Sequence, residues 1–208
     1  MMTTMSKTAG HRQDVVTRLH QALLERMALQ PWQRITVREL AADAGIARQT
    51  FYQYFAGRDA LLVDYVDGMF AAFYEEIADL IREAPVPGED ISRHLFVQWQ
   101  RHRAFAELVF QAGSESLLIN RFRSYIARVL GLYVREHGIA VTDTERLGFM
   151  IDYLAGASWM VLARWVKGGF AYPQDGLAQL FSQLTRPGFL QALDNSSGSA
   201  VSPADICR

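Results

Sequence analysis

Only one cysteine, Cys207, occurs in the 208 residues, so neither a disulfide framework nor a cysteine-based zinc site can form within one chain. Such usage fits a reducing compartment. The first ten residues, MMTTMSKTAG, have no apolar stretch of the kind a secretory signal needs, and the expectation is a cytoplasmic protein. No H-E-x-x-H pair occurs, nor a glycine-rich phosphate loop or nucleophile elbow, because Gly168 and Gly169 follow a helical pattern and not a strand. Asp90, His94 and His102 fall on one stretch of helical pattern, but no thiol joins them, and a surface ion pair explains them better than a metal. No cofactor, no metal and no catalytic constellation is therefore expected. Strand alternation and internal repeats are absent as well, and the whole chain reads as all-α.

A strong charge imbalance is also missing, since the formal net charge is −1. Its distribution is uneven. Residues 1–58 hold eight basic side chains (Lys7, Arg12, Arg18, Arg26, Arg34, Arg38, Arg48, Arg58) against four acidic ones (Asp14, Glu25, Glu39, Asp43), a balance of +4. The other 150 residues carry 13 basic and 18 acidic groups, a balance of −5. A basic head on a body that avoids nucleic acid fits this asymmetry, although a modest arginine excess is equally often a solvated face.

The densest local signal lies between Ile35 and Arg58. Thr36 and Glu39 stand three apart as a capping box, flanked by Ile35 and Leu40 as a hydrophobic staple. The short helix they start should stop at Gly45, where a left-handed backbone costs least without a side chain. Beyond a turn at 44–46, Ile46, Phe51 and Phe55 can pack, leaving Arg48, Gln49, Thr50, Tyr52 and Tyr54 available. Two short helices joined by a tight turn, the second polar and aromatic, form a helix-turn-helix with a recognition helix.

Thr36, Leu40, Ala41, Ala44, Gly45, Ile46, Phe51, Tyr52, Tyr54, Phe55, Arg58 and Leu61 match, in order and without a gap, the pattern T-x-x-x-[IL]-A-x-x-A-G-[VI]-x-x-x-x-[FLY]-Y-x-[HY]-F-x-x-[KR]-x-x-L. By it the segment resembles the amino-terminal domain of the TetR family of bacterial transcriptional regulators. Two positions depart from the pattern. Ala47 replaces the common Ser and forfeits a side-chain cap worth about 1 kcal/mol, and Arg58 replaces the commoner Lys with the charge kept. In the chemistry of DNA reading, Thr36, Arg38, Tyr52, Tyr54 and Arg58 are candidate backbone contacts. Arg48, Gln49 and Thr50 are candidate base contacts, to guanine, adenine and the thymine methyl respectively. For Tyr52, packing beneath the head competes with DNA contact; for Phe51 and Phe55 the core wins.

Around this segment the pattern predicts an arm at 1–11 and a first helix over 13–29, carried by Val15, Val16, Leu19, Leu23 and Met27 and ended by Pro31. A fourth helix runs from Arg58 along an apolar stripe to Ile81 and is broken by Pro85, Pro87 and Gly88. Helices follow at 89–102, 103–112 and 115–137. Another, started by a second capping box at Thr142 and Glu145, reaches Lys167. Between Leu147 and Val166 only Asp152 and Arg164 are charged, so a membrane span has to be weighed. It is rejected, because Asp152 is interior and Ala155, Gly156, Ala157 and Ser158 suit close helix packing. A last helix over 173–185 is interrupted by Pro187 and Gly188 before Phe189, and 194–208 reads as a disordered tail.

The expected organisation is an arm at 1–11, a helix-turn-helix domain at 12–57, a helical body at 58–193 and the tail, with about nine helices in all. The resemblance implies that the body binds a small molecule and that its last two long helices pair with those of a second copy. Candidate ligand-lining residues are Phe96, Trp99, Phe105, Phe110, Phe122, Tyr125, Met150 and Tyr153, for each of which ordinary core packing is the competing reading. Candidate pairing residues are Leu154, Ser158, Val161, Leu162, Trp165, Leu177, Leu180 and Phe181. The expected function is a homodimeric repressor that binds a near-palindromic DNA operator and is released by a small apolar or aromatic effector. A non-specific nucleoid-type protein and an all-helical enzyme are the alternatives.

Overall fold

The computed structural model describes the backbone of residues 2–83, 89–111 and 114–197, with side chains except at 2–9, 89, 90, 111, 190 and 193–197. Among the described residues there are nine α-helices, one 3-10 turn and no strand. The helices are α1 (Met2–Leu29), α2 (Val37–Asp43), α3 (Arg48–Tyr54), α4 (Arg58–Glu83), α5 (Glu89–Arg101), α6 (Arg103–Gln111), α7 (Glu115–Glu136), α8 (Thr144–Lys167) and α9 (Gln174–Ser197). None of them is long and apolar enough to cross a membrane. The chain divides into two compact units, one made of residues 1–70 and 104–121, the other of 71–103 and 122–208. The first thus extends past the boundary expected at 57/58 and takes in the start of α4 and most of α6.

In the first unit α1 packs on α2 and α2 on α3. Val15, Leu19, Leu23, Ile35, Leu40, Phe51, Leu61 and Leu62 are buried together as its core. The capping box forms as the spacing requires: the Glu39 amide donates to Thr36 Oγ1 at 3.3 Å, and the Thr36 amide donates to Glu39 Oε2 at 2.9 Å. Gly45 has φ +65°, and the Ile46 and Gly45 amides donate back to the Ala41 and Ala42 carbonyls at 2.9 and 3.1 Å, a Schellman closure that only a left-handed residue permits. Residues 2–11, expected as an arm, continue α1 instead. The stretch has no proline, and an interior glycine such as Gly10 costs only about 1 kcal/mol.

In the second unit aromatic side chains pack ring against ring. Trp99 meets Phe73 and Phe122 edge to face at 6.1 and 5.9 Å, Phe122 meets Trp159 at a tilt at 5.3 Å, and Phe96 meets Trp165 and Phe181 edge to face, both at 5.7 Å. Two local expectations change. The cap of α8 is Asp143, whose Oδ1 accepts from the Arg146 amide at 2.9 Å; a carboxylate one residue after Thr142 caps at least as well and starts the helix at Thr144. And α9 runs through Pro187 without a break. Pro187 and Gly188 are exposed, so water can take the carbonyl that proline leaves unpaired. Residues 84–88 with their two prolines, and the tail beyond 197, lie outside the described residues.

Candidate DNA-reading face and ligand cavity

Because α3 has only seven residues, its position depends on what holds its ends. Ala47 is its N-cap and supplies no side-chain bond, so packing replaces capping: Phe51 is fully buried and lies 5.9 Å from Phe55. The face left outward carries Arg48, Gln49, Tyr52 and Gln53, all exposed, with Thr50 and Tyr54 half-buried. Arg48 lies over the Tyr52 ring at 5.6 Å and its Nη2 donates to the Tyr52 hydroxyl at 3.3 Å. The pair is therefore already oriented before anything binds. Arg12, in the third turn of α1, reaches the Tyr54 ring at 6.0 Å, placing a further cation beside this face.

Two of the expected backbone contacts are otherwise engaged. The Thr36 hydroxyl donates to Glu39 Oε2 at 2.7 Å as well as accepting from its amide. Arg58 turns inward: its Nη1 donates to the carbonyls of Trp32 (2.8 Å), Gln33 (3.1 Å) and Ile35, and its guanidinium lies 4.8 Å over the buried Trp32 ring. A group so occupied clamps the 3-10 turn Trp32–Arg34 to the start of α4. Arg38 remains exposed. Behind the face, Arg26 of α1 forks onto Asp43 (Nη2 to Oδ1, 2.8 Å) and reaches Glu39 at 3.4 Å, tying α1 to both ends of α2. The Thr36 hydroxyl and amide hold the Glu39 carboxyl below the usual range, and the Arg26 hydrogen bond does the same for Asp43.

The second unit contains a cavity of about 150 Å³. Its walls are Ile77 of α4, Ile91 and Leu95 of α5, Tyr125, Ile126 and Leu130 of α7, Leu154 of α8 and Phe181 of α9. Tyr125 is almost wholly buried, and burial pushes its phenol above the ordinary range, so the hydroxyl keeps its proton. It donates to Gln98 Oε1 at 3.4 Å. The Gln98 amide, itself fully buried, donates to the Phe73 carbonyl at 2.9 Å and to Glu76 Oε2 at 3.3 Å. Glu76 also takes Arg101 at 3.1 Å and faces His94 at 3.6 Å. His94 thus turns toward α4; its sequence neighbour Asp90 lies outside the described side chains. Phe73 and Glu76 both belong to α4, so a hydrogen-bonded route runs from the cavity wall to that helix.

Two family models match the chain. The model described as "Bacterial regulatory proteins, tetR family" covers residues 21–65, and that described as "Transcriptional regulator C-terminal region" covers 89–187. The chain belongs to the TetR family. Solved structures agree on the fold. A TetR transcriptional regulator from Streptococcus agalactiae 2603V superposes with a TM-score of 0.64 at 18% identity, over 88% of this chain and 98% of that one. FadR from Bacillus subtilis, in complex with stearoyl-CoA, gives 0.61 at 17% over 83% and 98%. FadR from Thermus thermophilus, a repressor in complex with lauroyl-CoA, gives 0.58 at 22% over 83% and 94%. Among curated proteins nothing matches.

For a TetR-family regulator the sequence-derived lists sort unevenly. Of the ligand candidates only Tyr125 lines the cavity. Phe96, Trp99 and Phe122 fill the aromatic core, with no exposed surface left. Phe105 and Phe110 are buried in the first unit, and Met150 and Tyr153 border a separate groove between α8 and α9 beside Phe149 and Leu184. Of the pairing candidates, Ser158, Leu162, Trp165 and Phe181 are buried within their own chain and have no surface to offer a second one. Leu154 is half-buried at the cavity, Val161 and Leu177 are half-buried, and Leu180 is exposed. The exposed large apolar groups of these helices are Phe149, Tyr153 and Met160 on α8 and Leu180 and Leu184 on α9. Gln53, exposed and at a spacing of four from Gln49 on the same helical face, was not among the sequence-derived candidates.

Proposed function

We propose that the protein is an effector-controlled repressor: a homodimer whose two α3 helices read half-sites of a near-palindromic operator, about one helical turn or 34 Å apart. Arg48 and Gln49 carry base recognition, joined by Gln53 and by the methyl of Thr50, while Arg38, Tyr52, Tyr54 and Arg12 meet the phosphates. The chromosome as target places the protein in the cytoplasm. One head with a charge balance of +4 has too few phosphate contacts for specific binding at physiological salt, so a second copy is required. Its docking surface is the outward face of α8 and α9 at Phe149, Tyr153, Met160, Leu180 and Leu184, large apolar groups that a single chain leaves in water.

The observation that carries control by a small molecule is the route from cavity to α4 through Tyr125 and Gln98. An occupant that shifts the Tyr125 phenol changes the hydrogen bonding of Phe73 and Glu76, on the helix whose other end, Arg58, holds the 3-10 turn of the DNA-reading unit. The occupant is apolar, as the cavity walls are, a character it shares with the acyl chains, though not the nucleotide, of the stearoyl-CoA and lauroyl-CoA held by two FadR structures of the same fold. It weakens operator binding by favouring a state that fits DNA less well. Gel-shift titration of the dimer against the DNA flanking its own gene tests the reading. Specific binding that survives random competitor DNA and is lost in the Arg48→Ala, Tyr52→Ala double variant is expected. A variant that binds as tightly as the wild type, or a wild type with no sequence preference, refutes it.

A further inference from the structure

We infer that the cavity takes an apolar molecule ending in a carboxylate, and that Arg186 and Ser182 hold that end. The inference rests on the cavity being the effector site and narrows what fills it. Among the described residues lining the cavity Arg186 alone is charged. It is also the exposed member of the lining, the rest being buried or half-buried, so it marks where the cavity meets water. Arg93 is paired with Asp175 at 3.1 Å, Arg101 with Glu76 at 3.1 Å and Arg123 with Asp152, so these three arginines of the unit are not available to a ligand. Arg186 forms no ion pair among the described residues.

Ser182 lies one turn earlier on α9, on the same helical face. It is buried and lines the cavity. As a cavity-lining hydroxyl it can donate to a ligand oxygen. A guanidinium at the mouth and a hydroxyl one turn inside form a fork for a carboxylate, while the aliphatic walls exclude a second charge. An apolar cavity of about 150 Å³ is known to hold one benzene ring, so the buried part of the occupant is one ring or a short alkyl chain. A coenzyme A nucleotide cannot enter with it.

Calorimetric titration of the full-length dimer with two matched pairs, octanoate against octan-1-ol and phenylacetate against 2-phenylethanol, tests the assignment, with octanoyl-CoA as a fifth probe. In at least one pair the acid binds about tenfold tighter than its alcohol, and Arg186→Gln removes that preference while leaving alcohol affinity unchanged; Ser182→Ala reduces it in part. Acid and alcohol binding alike, or an Arg186→Gln variant that keeps the preference, overturns the carboxylate and leaves an apolar effector cavity standing. Tight octanoyl-CoA binding with neither free acid bound also overturns it. Failure of every probe to bind sinks both the inference and the effector reading it rests on.

Discussion

Replacing Arg58 by lysine separates two roles that a basic residue at the edge of a DNA-reading domain can have. The guanidinium gives both Nη1 protons to three carbonyls, those of Trp32, Gln33 and Ile35, and covers the Trp32 ring at 4.8 Å. Two protons make two full bonds at most, each worth about 1.5–3 kcal/mol when the donor is charged. With the side chain 31% exposed, water screens them and can partly replace them, and roughly half that total is a fair share. The cation on the ring adds about 0.5–1 kcal/mol. Lysine keeps the charge but has neither the planar face nor the fork. The expected loss is about 3 kcal/mol, which lowers the unfolding midpoint by roughly 6–12 °C for a chain of this size.

Circular dichroism melting of Arg58→Lys measures that loss, and operator binding at a temperature well below the transition measures the other role. A clamp predicts a lower midpoint with operator affinity kept within about twofold, since the charge is still there. A phosphate contact predicts that the Arg58→Ala variant melts like the wild type, binds every sequence more weakly, and has a salt slope smaller by about 1. That second pattern would refute the clamp and restore the contact read from the sequence.

Gln98→Leu removes the link between Tyr125 and α4 at nearly constant volume; effector affinity should stay within about threefold while effector-driven operator release falls at least fivefold, the lower end of usual coupling energies. Equal release in wild type and variant, by fluorescence anisotropy of labelled operator, would place the coupling elsewhere. Glu39 and Asp43 have depressed folded pKa values, so the unfolded chain binds more protons. The stability they contribute is present above the unfolded values of about 4 and is lost as pH falls through the folded ones. Melting between pH 6 and pH 2 should show this loss, and Arg26→Gln should reduce it; an unchanged profile in the variant counts against the Arg26 fork. His94 has a folded pKa lowered mainly by burial, against the pull of Glu76. Stability from the neutral ring is therefore present above about 6.5 and declines as pH drops below it, and His94→Gln should remove that part of the slope.

What the sequence made legible is what local chemistry determines. Thr36, Glu39 and Gly45 act through neighbours within four residues, and each does what its spacing predicts; the same holds for Ala47 as an empty cap. The clamp formed by Arg58 was not legible because its partners, the carbonyls of residues 32, 33 and 35, lie more than twenty positions away and leave no trace in side-chain pattern. Gln98 was passed over for the same reason: a lone glutamine among aromatics reads as surface until Phe73, Glu76 and Tyr125 surround it.

The aromatic residues of the second unit show a different limit. Periodicity says that a side chain points inward, but Phe96 and Trp99 on α5 and Tyr125 on α7 all point inward, and only the packing decides that the first two are sealed by other rings while the third borders empty space. Helix α8 shows the converse. Apolar almost all round, it gave no hint of which side faces a partner. At 100° per residue Phe149, Tyr153 and Met160 fall within about 40° of one another, and the buried Ala155, Ser158, Leu162 and Trp165 lie on the opposite side. On α9 the exposed Leu180 and Leu184 are likewise turned away from the buried Ala178, Ser182 and Thr185. Each helix therefore has one face for its own core and one that remains wet in a single chain. Two such helices adjacent in sequence, each with an apolar face left in water, are what the proposed second copy would cover.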